Sequence, residues 1–267
     1  MKIGLYKRSI AEEAEEQLKQ LCSVLTENGF ELVEIGDKLP EEALDFVFSI
    51  GGDGTLLSSV HLIGRSGIPV LGVNFGHLGF LTTIGRSDFH RFADDLAQSR
   101  YGIEERSLLH VEVENEGNTW ETFVLNEVSL HRNEEAALLR TEVYVDKEYV
   151  STYVGDGIIA ATPTGSTAYS LSCGGPILTP NSNCFVLTPI GVHTLTLRPI
   201  VVPDGSHIML LPNAGEQQFY LGTDSNVKRL SGDARIWLSR EDFSIRLVRM
   251  NDQNFFTAIR SKLSWGC

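Results

Sequence analysis

Near residue 100 the spacing of apolar residues in this chain changes period, and that change restricts the fold more than any other feature. Before it, short apolar runs alternate with segments of helical spacing. Residues 3–6 read as a first strand, 10–28 as a helix closed by Gly29, and 30–35 as a second strand. Residues 45–50 and 68–73 give two more strands around a helix that ends near Gly64. A further helix is expected over 87–99, with Ser87 as its N-cap. Strands joined by helical crossovers build a parallel sheet. After residue 100 the period is two, over 110–114, 120–124, 142–145, 236–238 and 245–248, with 199–203 and 208–211 fitting the same scheme. That pattern predicts a β-rich, sandwich-like domain. Residues 254–263 return to helical spacing and are expected to pack back on the first domain. The expected organisation is an α/β domain over 1–100, a β-rich domain over 101–250 and a C-terminal segment over 251–267.

The sharpest chemistry lies in Gly51-Gly52-Asp53-Gly54-Thr55, directly after the buried strand 45–50 and before a helical segment. A glycine-rich turn from strand end to helix start gathers backbone N–H groups and a positive dipole end, which favours phosphate. A carboxylate in such a place has a role to fill. Asp53 is suited to hold Mg²⁺, to accept a hydroxyl proton or to bond a ribose; the plainer alternative is a helix N-cap. Ligands of parallel sheets gather at the carboxyl ends of the strands, where Gly51–Thr55 and the loop from Asn74 to Phe80 would both lie.

Composition excludes several classes. The net charge of −13 and the lack of a basic patch argue against nucleic acid as a partner. The densest acidic cluster, Glu12 to Glu16, reads as the solvated face of the first helix. Cys22, Cys173, Cys184 and Cys267 show neither CxxC spacing nor a disulfide framework. No leader or membrane-spanning run is visible, so a soluble, cytoplasmic protein with no membrane partner is expected. There is no GxxxxGK[ST] loop and no GxGxxG after the first strand, which excludes a P-loop NTPase and a standard hydride-transferring Rossmann enzyme.

A second stretch, from Gly155 to Pro176, joins a strand to a turn dense in hydroxyls and then to a small-residue helical segment. Its hydroxyls and amides suit a dinucleotide's ribose or phosphate, and Tyr169 a base; Ser and Thr are also ordinary turn and cap residues. Asn126-Glu127 sits inside the apolar run 123–130. An amide and a carboxylate side by side there suit adenine or ribose edges, or else one is exposed and the other bonded internally. His77, His131 and His193 read as structural.

Taken together, these residues closely resemble the NAD kinase (ATP-NAD kinase) family of bacterial type, nearly end to end. Gly51–Thr55 resembles its GGDG signature, Asn74 to Leu81 its GxLGFL loop, and Leu125-Asn126-Glu127 its NE pair. Asp156-Gly157 through Pro180 resembles its DG…TPTGSTAYSLSxGGP block. GGDG alone is shared with lipid kinases and phosphofructokinases; the three motifs in this order are far more specific. The resemblance implies a phosphotransferase that moves the γ-phosphate of ATP to the adenosine ribose 2′-hydroxyl of NAD, giving NADP. It implies a site where an α/β and a β-rich domain meet, in a homodimer or homotetramer, with Mg²⁺ or another divalent ion screening the donor's phosphates.

Carried over by motif, Asp53 is the catalytic residue, as general base or positioning carboxylate, with Gly54 beside it in the substrate site. Asn126 and Glu127 hold adenine and ribose. Asp156 binds the nicotinamide-side portion or a neighbouring molecule's ribose. Thr167, Ala168 and Tyr169 line the adenine pocket, with Ser170 and Ser172 nearby. Two departures stand out. Many members carry a basic residue two before the Asp of the DG motif, where this chain has Val154. Many carry DGQ or DSQ near 222–227, where this chain ends the triplet with Asn226, a shorter hydrogen-bonding reach. Other readings are a lipid kinase, which would want an acyl pocket and a basic face; an NAD(P)-binding sensor, which would not need Asp53; and a purely structural partner protein.

Overall fold

The runs 46–50 and 70–73 of the first part present apolar residues to both faces, which demands cover on both sides. A computed structural model of the chain describes residues 1–8, 11–76, 79–84, 89–133, 138–194, 196–213, 218–250 and 254–265. It divides into two compact units, Met1–Glu105 with Ile245–Cys267, and Arg106–Ser244. Set beside the expected limits of 100 and 250, the return to the first unit begins at Ile245, inside a strand.

The first unit contains β1 (Lys2–Lys7), α1 (Glu12–Glu27), β2 (Glu31–Ile35), β3 (Phe46–Ile50), α2 (Asp53–Ile63), β4 (Val70–Val73), β5 (Thr82–Ile84) and α3 (Phe89–Ala97). Strands β2, β1, β3 and β4 pair in that order and all in parallel. Every residue of β3 is buried. Phe46, Phe48 and Ile50 share one cluster with Leu21 and Leu25 of α1 and Phe92 and Leu96 of α3. Val47 and Ser49 alternate with them and are buried on the opposite face. Gly29 closes α1 at φ +81°, the left-handed conformation expected of it. Ile10 and Ser87, expected in helix starts, lie outside the described residues.

The second unit contains most of β6 (Tyr101–Asn115), then β7 (Asn118–Val124), β8 (Glu127–Arg132), β9 (Leu139–Val145), β10 (Glu148–Gly155), β11 (Gly157–Ala161), α4 (Tyr169–Ser172), β12 (Cys184–Ile190), β13 (Ile200–Pro203), β14 (Ile208–Asn213), β15 (Gln218–Thr223) and β16 (Asn226–Ser231). The long β17 (Arg235–Met250) and α5 (Phe255–Leu263) complete the chain. β13-β12-β11-β8-β15-β16 form one antiparallel sheet, and β10-β9-β14 with the start of β17 another antiparallel run. Alternate residues from both, including Val128, Leu130, Ile158 and Phe185 from the first and Val143, Ile208, Leu210 and Ile236 from the second, meet in one core. This is a β-sandwich. The hairpins at Glu116-Gly117 and Asp146-Lys147 have positive φ at both central residues, which matches the twist of the strands they join.

Residues 236–238 and 245–248, which read as separate strands, belong to one strand, β17. The polar residues between them mark no turn because they are held in place. Arg240 pairs with buried Asp204 at 2.6 Å, and Glu241 lies 3.0 Å from His110 Nδ1. From Ile245 onward β17 belongs to the first unit, where Leu247 pairs in parallel with Val70. Asn254 caps α5 by accepting from the Thr257 N–H at 2.9 Å, and Lys262 of α5 lies 4.9 Å from the centre of the Phe80 ring.

Candidate functional site

In the first unit Ile50 and Val73 are register partners, so the glycine loop and the loop from Asn74 leave the same edge of the sheet side by side. Gly51 has φ +142°, and a Cβ there would lie 2.5 Å from Thr55 Oγ1. The helix that follows has Gly52 as N-cap and no side-chain cap. Its first amides are therefore left for an outside acceptor such as phosphate.

Asp53 does not cap its own helix. Its Oδ2 accepts from the Phe80 N–H at 2.9 Å and its Oδ1 from the Leu81 N–H at 3.2 Å. The carboxylate thus clasps the second loop, a role that no local pattern of residues signals. A Cβ at residue 79 would lie 1.9 Å from Asp53 Oδ1, so Gly79 is what lets the loop come this close. The Gly79 N–H donates to Thr82 Oγ1 at 2.7 Å, and Asn74 Oδ1 accepts from the Gly76 N–H at 3.0 Å. His77 and Leu78 of this loop lie outside the described residues.

In the second unit Asn126 sits in the sharp break between β7 and β8, not within a strand. Asp224, at a positive-φ hairpin position between β15 and β16, accepts from the N–H groups of Leu125, Asn126 and Glu127 at 2.8, 2.9 and 3.2 Å. Thr162 completes the cradle, donating to the Leu125 carbonyl at 2.5 Å and accepting from the Gly165 N–H at 3.2 Å. A Cβ at residue 165 would lie 2.1 Å from the Asn126 carbonyl oxygen. With the backbone so held, Asn126 Oδ1 and Glu127 Oε2 are buried without a hydrogen-bond partner among the described residues. Orphaned acceptors of this kind call for a ligand or water. Burial, and then the charge of Asp224, push the Glu127 carboxyl up to about 8, against a bond from the Tyr169 N–H. At neutral pH it is largely protonated and offers an O–H.

The hydroxyls of the Gly155–Pro176 stretch mostly serve the loop itself. Ser166 Oγ bonds the Pro163 carbonyl and accepts from the Leu178 N–H, and Thr167 bonds the Thr164 carbonyl. Ser170 is fully buried, 2.8 Å from Thr188 Oγ1, while Ser172 is exposed. Thr167 and Ala168 are half-buried. Tyr169 is 39% exposed and stacks on His131, ring centres 5.6 Å apart. His131, Arg132, Asp156, Tyr169 and Ile190 line a depression of about 300 Å³. Burial lowers the His131 pKa, with Asp156 opposing.

Asp156 Oδ1 lies 2.5 Å from Arg132 Nε. Arg132 therefore supplies a cation beside the DG aspartate, while Val154 of β10 has Arg140 of β9 as its register partner. Asn226 is exposed and pairs with Thr223. His193 is exposed as well. Sequence reasoning missed Asp224, Thr162 and Arg132. Asp224 lay in the stretch singled out at 222–227, but a hairpin-tip carboxylate looks like any turn residue until its three amides are seen.

The fold and these two loop systems define a class, the phosphotransferases that pair a GGDG turn on a parallel sheet with a β-rich nucleotide-binding unit. The chain matches the ATP-NAD kinase N-terminal domain over residues 4–101 and the ATP-NAD kinase C-terminal domain over 125–249. It is 39% identical over 222 residues to an NAD kinase of Cytophaga hutchinsonii, covering 83% of this chain and 76% of that one. The chain belongs to the NAD kinase family. Yeast NADH kinase complexed with NADH has a similar fold, with a TM-score of 0.89 at 24% identity over 99% of this chain and 88% of that one. So does an NAD kinase from Archaeoglobus fulgidus in complex with ATP, with a TM-score of 0.80 at 24% identity over 99% of both chains.

Proposed function

We propose that this protein is an NAD kinase that transfers the γ-phosphate of ATP to the 2′-hydroxyl of the adenosine ribose of NAD, giving NADP. The observation that carries the reading is Asp53, a carboxylate held by two amides at the mouth of an uncapped glycine turn. Each of its oxygens accepts one N–H and keeps a second lone pair, enough to take a hydroxyl proton. Phosphoryl transfer needs an aligned nucleophile and neutralised phosphate charge more than covalent help. Asp53 aligns the 2′-hydroxyl and accepts its proton as the O–P bond forms. The α2 amides, Gly54 among them, receive phosphate oxygens.

Asn126 and Glu127 hold adenine and ribose through the two atoms the protein leaves unpartnered. Tyr169, flanked by Thr167 and Ala168, lies against the adenine ring. Ser170 shapes that wall through Thr188, with Ser172 and Asn226 as outer contacts. Asp156, oriented by Arg132, bonds the nicotinamide-side portion or a neighbouring molecule's ribose. Among the described residues no group of three His, Cys, Asp or Glu side chains is placed to hold a metal. A divalent ion, Mg²⁺ or another, would screen the phosphates of ATP.

The active form is a homodimer or homotetramer, and its place is the cytoplasm, in keeping with free Cys22, Cys173 and Cys184. No described helix is long and apolar enough to cross a membrane. The test is NADP formation from NAD, Mg²⁺ and ATP, with light scattering for the oligomer. Tight NADP binding without turnover would sink the reading in favour of a sensor.

A further inference from the structure

Arg249, near the end of β17, is only 8% exposed, so its guanidinium needs partners within the protein. Nε lies 3.2 Å from Glu104 Oε2, and Nη2 donates to the Phe80 carbonyl at 3.0 Å. That carbonyl and the Leu81 N–H belong to one peptide group. The Leu81 N–H donates to Asp53 Oδ1 at 3.2 Å. A single planar peptide therefore carries a guanidinium at its oxygen and a carboxylate at its nitrogen. A cation at the oxygen draws electron density out of the amide and makes its N–H a stronger donor. The preceding amide, the Phe80 N–H, holds the other oxygen of Asp53 at 2.9 Å. The loop is gripped from one side by Arg249 and from the other by Asp53.

We infer that Arg249 is a positioning residue for phosphoryl transfer, acting on Asp53 through the Phe80–Leu81 peptide. It orients the carboxylate and stabilises the arrangement in which both oxygens keep a lone pair for the incoming hydroxyl. The inference rests on the reading of Asp53 as the base or positioning carboxylate. A side chain that merely filled space in β17 would leave the chemical step alone once the protein was folded.

The experiment measures kcat and the KM for NAD in Arg249→Gln and Arg249→Lys, each made in the wild-type chain and in Asp53→Asn, with unfolding midpoints for all. Arg249→Gln is expected to lower kcat about tenfold and to move KM less than about twofold. Arg249→Lys, which keeps the charge, is expected to recover most of that loss. In the Asp53→Asn background, followed over long incubations, either change should alter the residual rate by less than about twofold, because the group it acts on is gone. Equal losses in both backgrounds, or a rise in KM that accounts for the whole effect, would overturn the inference. If Arg249→Gln does not fold, Arg249→Met, which fills the same buried space without a donor or a charge, is read by the same ratio in the two backgrounds. Normal turnover by Asp53→Asn would instead overturn the reading of Asp53 itself, and the inference with it.

Discussion

Asp224 holds the backbone on which Asn126 and Glu127 stand. By accepting three consecutive N–H groups it fixes the backbone of Leu125 to Glu127, and its charge adds to burial in raising the Glu127 pKa. Asp224→Ala removes the acceptor from all three amides, each worth about 1–3 kcal/mol if buried unsatisfied. Urea denaturation should show a loss of several kcal/mol, and NAD binding by calorimetry should weaken with it. Glu127 makes a second prediction, about pH. Its folded pKa, about 8, lies above the ordinary 4.5, so the folded protein holds a proton the unfolded chain has lost. That contribution to stability is fully present below about pH 4.5 and disappears as pH rises through about 8, a change on the order of a few kcal/mol. In Glu127→Gln the stability curve should be flatter across this window. A wild-type curve already flat from pH 5 to 8 would contradict the burial of that carboxyl.

At the scale of elements, the parallel strands and the glycine turn were legible because each is a local signal. A mostly apolar strand, three glycines and a following helix occupy one continuous stretch, 46–63. The sandwich was legible as a class from its period of two. The identity of its strands was less so. The continuity of β17 is supported by an ion pair to Asp204 and a hydrogen bond to His110, which lie far away in sequence. The site followed the same division. Asp53, Asn126 and Glu127 stand in motifs. Of their supports, Gly79, Thr162 and Asp224 also lie in motif-bearing stretches, but nothing local says which distant backbone each one holds, and Arg249 lies in no motif at all. Two glycine substitutions probe those close approaches. Gly79→Ala places a methyl against Asp53 Oδ1, and kcat should fall at least about tenfold while NAD affinity holds. Gly165→Ala pushes on the Asn126 carbonyl instead, and there NAD affinity should fall first. If both variants lost kcat and affinity in equal measure, the assignment of the two loops to different tasks would be wrong.

For the molecule as a whole, a net charge of −13 leaves little attraction for anionic membranes or nucleic acid, and small anionic substrates must be met by local amides and arginines. The uncapped turn at Gly52 and the Arg132–Asp156 pair are such local features. The central claim is a division of labour in which the protein binds a dinucleotide and uses one carboxylate to activate a ribose hydroxyl. General-base help of this kind is typically worth about 10²–10⁴-fold. The most direct test is NADP formation from NAD, ATP and Mg²⁺ by the wild-type protein and by Asp53→Asn, with NAD affinity measured on both. NADP from the wild type, a loss of turnover in that range and an affinity changed only slightly are the predicted result. A folded Asp53→Asn protein that forms NADP at the wild-type rate would contradict the account.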